Sequence, residues 1–304
     1  MKVNCCWLYA ISKYGYPPSM PDTYRALEGM AALGFDAAEL EGVREENLRA
    51  VAAVRSEIRR RCTDLGLRIV NFCPVLPDLT SPDPAERRHA LDLFRLGVEL
   101  AEYFESRLIQ VDSYAPPIEF VAHRPYDNAI EFQRQFDVRI PAEFSWDRTW
   151  NVLVDAVRAC AAIAREAGLR LAMEPRVGEL VSNTDALLRL MDHVAESSFG
   201  AVLDTGHLHA QKEILPLSVE KLARRIFYVH ASDNDGRDNV HLAPGRGTVD
   251  WDALVRGFRR HGFDGYIGID IGGVPDLDDQ YREGVAFIRA ALERVGAAQG
   301  SARP

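Results

Sequence analysis

The 304-residue chain is short of several things, and each shortage removes a class of function. No apolar run approaches the roughly 20 residues that a membrane-spanning helix needs, so a soluble protein without a membrane partner is expected. There is no basic excess: 36 Lys and Arg stand against 45 Asp and Glu, a net charge of -9. That is the wrong sign for affinity built on neutralised phosphates, and nucleic acid is not an expected partner. Cysteine is sparse. Cys5, Cys6, Cys62, Cys73 and Cys160 are odd in number, lack C-x-x-C spacing and sit mostly among apolar neighbours. They read as reduced core thiols rather than disulfides or zinc ligands, which fits the cytoplasm. No G-x-G-x-x-G follows the first apolar stretch and no P-loop is visible, which removes the usual phosphate cradles. The N-terminal "MKVNCCWLYAISKYG" has a lone lysine, early polar interruptions and no small-residue cleavage site, so it reads as a first strand rather than a leader.

What is present is alternation. Short apolar runs at 3–10, 36–42, 67–75, 107–114, 169–175, 199–207, 227–233 and 266–273 read as eight strands, with helix-period segments between them. Two of those segments, "NLRAVAAVRSEIRRRCTDLG" and "RTWNVLVDAVRACAAIAREAG", space apolar residues by three and four and stop at a glycine. Near-continuous apolar strands joined by amphipathic helices imply a parallel sheet covered on its outer face. Eight such units imply an α/β fold, a single closed (β/α)8 TIM barrel over 1–296, with 297–304 as a flexible tail.

In such a barrel the active site lies at the C-terminal ends of the strands. The fifth strand closes on Glu174, the sixth on Asp204 with His207, the seventh on His230 and the eighth on Asp270. Each has an ordinary explanation alone, since a strand-end aspartate can cap the next helix and a lone histidine can be a scaffold residue. Four successive strands delivering one possible ligand each to one rim is harder to explain by capping. Three carboxylates and one imidazole make a mostly oxygen site for one divalent ion, Mn²⁺ first, with Mg²⁺ or Co²⁺ as alternatives.

The spacing of Glu174, Asp204 with His207, and His230, followed by "HLAPGRGTVDW", resembles the sugar phosphate isomerase and epimerase family of xylose-isomerase-like barrels. The sharpest element is "PGRGTVDW" (244–251), expected to be a tight loop with Asp250 as a helix cap rather than part of the chemistry. The resemblance implies that Glu174, Asp204, His230 and Asp270 hold the metal, and that His207 and Arg237 contact substrate oxygens. The family usually has glutamate on the last strand, so the shorter Asp270 is a departure that puts its reach as a second base in question.

The implied chemistry is proton abstraction next to the carbonyl of a keto-sugar or oxidised glycoside, giving an enediolate. Glu174 is the first choice of base, Asp270 the second, and His207 the acid or orienting donor. Residues 115–147 form a long insertion after the fourth strand, rich in aromatics, that reads as a lid, a partner surface or a stacking wall. His123 and Trp146 from this segment are expected to extend substrate binding. The insertion also resembles, more weakly, the catalytic subunit of C-glycoside deglycosidases, which eliminate an aromatic aglycone from a 3-oxo-sugar with a second, smaller subunit. The expected partners are thus a small-molecule sugar or glycoside, further copies of the chain in an oligomer, and on that alternative a smaller subunit. An endonuclease-four-like nuclease would need many more rim histidines than the eight histidines here supply. A catalytically dead binding subunit is the other alternative, and only Asp270 points to it.

Overall fold

The computed structural model describes residues 1–121 and 137–300. Its strands are β1 (Lys2–Cys5), β2 (Ala37–Val43), β3 (Arg68–Val75), β4 (Leu108–Asp112), β5 (Glu119–Phe120), β6 (Val138–Arg139), β7 (Arg170–Glu174), β8 (Phe199–Asp204), β9 (Ile226–Ala231) and β10 (Tyr266–Ile269). Eight of them close a barrel in the order β1-β10-β9-β8-β7-β4-β3-β2, every pairing parallel. This is the expected TIM barrel. β5 and β6 form a small antiparallel ribbon inside the insertion.

The strands are shorter than their apolar runs. The first run leaves β1 after Cys5 and becomes the helix Leu8–Tyr14, whose Leu8, Tyr9 and Ala10 are buried, so a continuous apolar stretch serves two elements. The last run likewise ends at Ile269, with Asp270 just beyond it. The segment 47–66 contains a break at Val54, where φ of -110° and ψ of 16° separate the helices Arg44–Ala53 and Arg55–Leu65. Gly66 then stops the second in the left-handed region, at φ 68°, where a side chain would be strained. The helix Trp146–Glu166 starts where Ser145 accepts a hydrogen bond from Arg148 N, and it buries Trp150, Leu153, Val154, Val157, Cys160, Ala161 and Ala164 along one stripe. The final helix, Leu277–Gly300, continues past 296 into what the sequence suggested was tail. All five cysteines are buried and free. No helix among the described residues is long and apolar enough to cross a membrane.

The loop 244–251 is architectural, as its sequence suggested. Its organiser is Asp233, fully buried just after β9. Asp233 Oδ1 accepts from Asn234 N and Val249 N, while Oδ2 accepts from Gly245 N and Trp251 Nε1, at 2.9–3.1 Å. A Cβ on Gly247 would lie 2.2 Å from Asp233 Oδ1, so only glycine lets the loop close on the carboxylate. Asp250 caps the helix Trp251–Arg260 by accepting from Ala253 N at 2.9 Å. Removing Asp233 strands four donors, whereas removing Asp250 costs one cap. We predict that Asp233→Ala lowers stability by about 3 kcal/mol and Asp250→Ala by about 1 kcal/mol, read from urea unfolding midpoints. Equal losses would show that Asp233 is not the organiser.

Candidate active site

Parallel pairing sets the height of the polar side chains at the C-terminal rim. Asp112 pairs with Glu174 across β4 and β7, and Asp204 pairs with His230 across β8 and β9. These ends therefore meet at one level. His230 Nδ1 lies 2.8 Å from Glu174 Oε1 and 3.8 Å from Asp204 Oδ2, while its Nε2 lies 3.1 Å from Glu39 Oε1 on β2. Asp204 Oδ1 accepts from His207 N at 2.6 Å, and the buried Oδ2 has no hydrogen-bond partner. One ligand atom each from Glu174, Asp204 and His230 lie within 4.8 Å of one another.

A chain of side-chain contacts runs round the lumen from this cluster. Asn71 Nδ2 on β3 donates to Glu39 Oε1 at 2.5 Å and to Gln110 Oε1 on β4 at 2.8 Å. Gln110 Nε2 points to Glu174 Oε2 at 3.4 Å, and Trp7 N donates to Glu39 Oε2 at 3.2 Å. Burial would push Glu174 up, but His230 and Arg176 outweigh it and hold the carboxyl well below the usual range, so it is ionised. For His230 burial opposes charging, and the surrounding Cys6, Glu174 and Glu39 outweigh it, raising the imidazole well above its usual value. The raised imidazole marks a place where the surrounding carboxylates favour positive charge, which suits a cation. The unpartnered Asp204 oxygen has the same meaning, since a buried carboxylate oxygen is costly unless something completes it. This donor set fits a divalent metal.

The remaining residues named from sequence are distributed unevenly. Asp270 lines the same pocket, but its Oδ2 lies 3.0 Å from His241 Nδ1, and it is not within the three-residue cluster. His207 is buried in the pocket wall, its Nδ1 accepting from Val177 N at 3.2 Å and facing Asn239 Nδ2 at 2.9 Å. Burial pushes its pKa well down, so the ring is neutral and carries its proton on Nε2. Arg237 is exposed and outside the pocket lining, and Trp146 is 42% exposed, packed against Trp150 with ring centroids 6.0 Å apart. His123 lies outside the described residues, as do Tyr126, Phe132 and Phe136 of the insertion.

Sequence reasoning missed Glu39, Glu41, Asn71, Gln110, Asp112, Arg176 and His241, all within this network or its wall. Two signals were available. Asp112 closes the fourth strand as Glu174 closes the fifth, and "AELEG" alternates its two glutamates onto one face. The arginine in the wall is Arg176, with Nη1 2.7 Å from Asp112 Oδ2 and Nε 3.8 Å from Glu174 Oε2.

A family model described as xylose isomerase-like TIM barrel matches residues 27–291. An inosose dehydratase of Clostridium beijerinckii is 22% identical over 240 residues, 69% of this chain and 80% of that protein. A fructoselysine 3-epimerase of Shigella flexneri is 21% identical over 283 residues, 90% of this chain and 91% of that protein. Among solved structures, the 3-keto-D-glucoside 4-epimerase of E. coli superimposes with a TM-score of 0.73 at 17% identity, over 95% of this chain and 99% of that one.

Glu39 is the acceptor on which the contact chain closes. Glu39→Ala leaves Trp7 N, Asn71 Nδ2 and His230 Nε2 without it, and buried orphans of this kind cost roughly 1–3 kcal/mol each. We predict a loss of at least about 2 kcal/mol in urea unfolding. A loss below about 0.5 kcal/mol, typical of a surface change, would contradict the contact chain.

Proposed function

The chain belongs to the xylose isomerase-like TIM barrel family, and on that premise we propose that it is a divalent-metal-dependent enzyme of sugar isomerase and epimerase type. It removes a proton from the carbon next to the carbonyl of a keto-sugar or oxidised glycoside. The observation that carries this reading is the strand-end cluster of Glu174, Asp204 and His230, with a buried carboxylate oxygen that nothing among the described residues satisfies. The relatives named above are epimerases and a dehydratase, and proton removal beside a carbonyl is a step that both reaction types can share.

Glu174, Asp204 and His230 would hold the metal, Mn²⁺ by preference, with Asp270 as a fourth ligand on the strength of the family resemblance. When bound, the cation supplies Lewis-acid polarisation of the carbonyl. Glu39 would fix the His230 ring by accepting a hydrogen bond from its Nε2–H, which leaves Nδ1 toward the cluster. Glu174, ionised, accepts the proton from carbon, and the substrate becomes an enediolate. His207 presents an Nε2 proton to a substrate oxygen. Arg237, Trp146 and His123 complete the proposed substrate contacts, the first two only for a substrate that projects beyond the pocket.

A second reading is elimination, favoured by the inosose dehydratase relative. It shares the enediolate and differs in the fate of the next carbon, where a leaving group departs; the C-glycoside deglycosidase alternative, with its smaller subunit, is one form of it. The insertion offers exposed apolar side chains, Val121, Ile140 and Trp146, as a surface for an aglycone or subunit.

The tests are metal content and solvent exchange. Asp204→Ala and His230→Ala should each lose stoichiometric Mn²⁺ by elemental analysis while keeping the wild-type circular dichroism. Glu174→Gln, supplied with excess Mn²⁺, should lose about 100-fold or more of the deuterium exchange that the wild type shows with ketohexoses and 3-oxo-glycosides in D₂O. Metal retained by either alanine variant rejects the ligand set, and native exchange in Glu174→Gln rejects the base. Released aglycone would select elimination over epimerisation.

A further inference from the structure

The inner face of β2 carries two carboxyls with opposite circumstances. Glu39 is committed, accepting from Trp7 N and Asn71 Nδ2 and facing His230 Nε2. Glu41, two residues on and therefore on the same face, lines the pocket with Glu174, His207 and Asp270, yet its buried Oε2 has no hydrogen-bond partner. Asp112 stands in the same wall with Oδ1 equally unpartnered at 3% exposure, but its Oδ2 is taken by Arg176. In the barrel order β2 faces β8 and lies well round the ring from β7, so Glu41 and Glu174 reach the pocket from different sides.

Resting on the function proposed above, we infer that Glu41 is the second proton-transfer group of this site, delivering a proton to the substrate face opposite the one that Glu174 deprotonates. The resemblance assigned that role to Asp270, which is one methylene shorter than the usual glutamate and whose Oδ2 is engaged by His241. Glu41 has the longer side chain and no competing partner. No contact among the described residues accounts for a carboxyl at this position, because an unpaired buried carboxyl oxygen costs stability and returns none. Burial, reinforced by the charges of Glu39 and Asp112 and opposed by Arg176, raises Glu41 well above the usual carboxyl range. A neutral carboxyl can give a proton, as an ionised one cannot.

The step balances without a further reactant. The C–H bond next to the carbonyl breaks, its electron pair enters the enediolate, and the proton passes to Glu174. The Glu41 O–H bond then breaks, its proton forms a new C–H bond on the other face, and the configuration at that carbon inverts. Glu174 ends protonated and Glu41 ionised, and exchange with solvent restores both.

The experiment uses the full chain loaded with Mn²⁺, in D₂O, with the same ketohexoses and 3-oxo-glycosides. In Glu41→Gln, which preserves shape and removes no hydrogen bond, deuterium should still enter the recovered substrate, while epimer formation falls by about 100-fold or more. Wild-type epimerisation in Glu41→Gln overturns the inference, and so does loss of exchange together with epimerisation at wild-type metal content, which marks a structural role. A single turnover of the wild type gives an independent reading: the epimer should carry solvent deuterium, and substrate-derived hydrogen in it would mean that one base serves both faces. No exchange by the wild type with any of these substrates would instead reject the proposed function itself.

Discussion

The contact on which the site depends is the clasp of His230 between two carboxylates, Glu174 at Nδ1 and Glu39 at Nε2. Through Asn71 and Gln110 it becomes a continuous run of polar side chains over β2, β3, β4, β7 and β9. Ionisable groups this deep are tolerable only when paired, so each member constrains its neighbours. Parallel register makes the clasp possible. Asp204 opposite His230 and Asp112 opposite Glu174 put the rim groups at one height, and a one-residue slip would turn them out of the lumen.

Much of this was legible in the sequence, for a physical reason. Apolar runs that end in Glu, Asp or His conflict with a buried strand, and the conflict locates the rim; Glu174, Asp204, His230 and Asp270 all line or adjoin the pocket on that logic. The same logic applied to "RLIQVDSY" finds Asp112. Glu39 and Glu41 escaped because they sit inside β2 rather than at its tip, where a strand reads as polar on one face instead of ending polar. The place of Arg176 in the pocket wall was not legible. Arg176 follows a strand by two residues and folds back onto Asp112, whereas Arg237 lies on an exposed turn, and only the path of the chain separates them.

The shortened acid on the last strand has a local consequence. Asp270 meets His241, His241 Nε2 lies 3.0 Å from Asn239 Nδ2, and the same amide faces His207 Nδ1. One amide therefore stands between two imidazoles of different character. Burial pushes His207 down to the neutral form, whereas Asp270 outweighs burial at His241 and raises it. The carboxyl of Asp270 is thus engaged by His241, the first residue of "HLAPGRGTVDW", which sequence reasoning left unassigned.

Glu174 and Glu41 show how one residue type can be pushed in opposite directions within one pocket. Glu174 is surrounded by His230 and Arg176, which favour its anion against burial; Glu41 has burial and the charges of Glu39 and Asp112 against its anion, opposed by Arg176. Environment pushes the two carboxyls apart, and such a separation divides acid from base in a site that must move protons in both directions. Arg176 takes part on both sides, through Asp112 and toward Glu174, so its position sets the balance between them. Held on Asp112, the guanidinium does not offset burial at Glu41, which stays raised while Glu174 stays lowered.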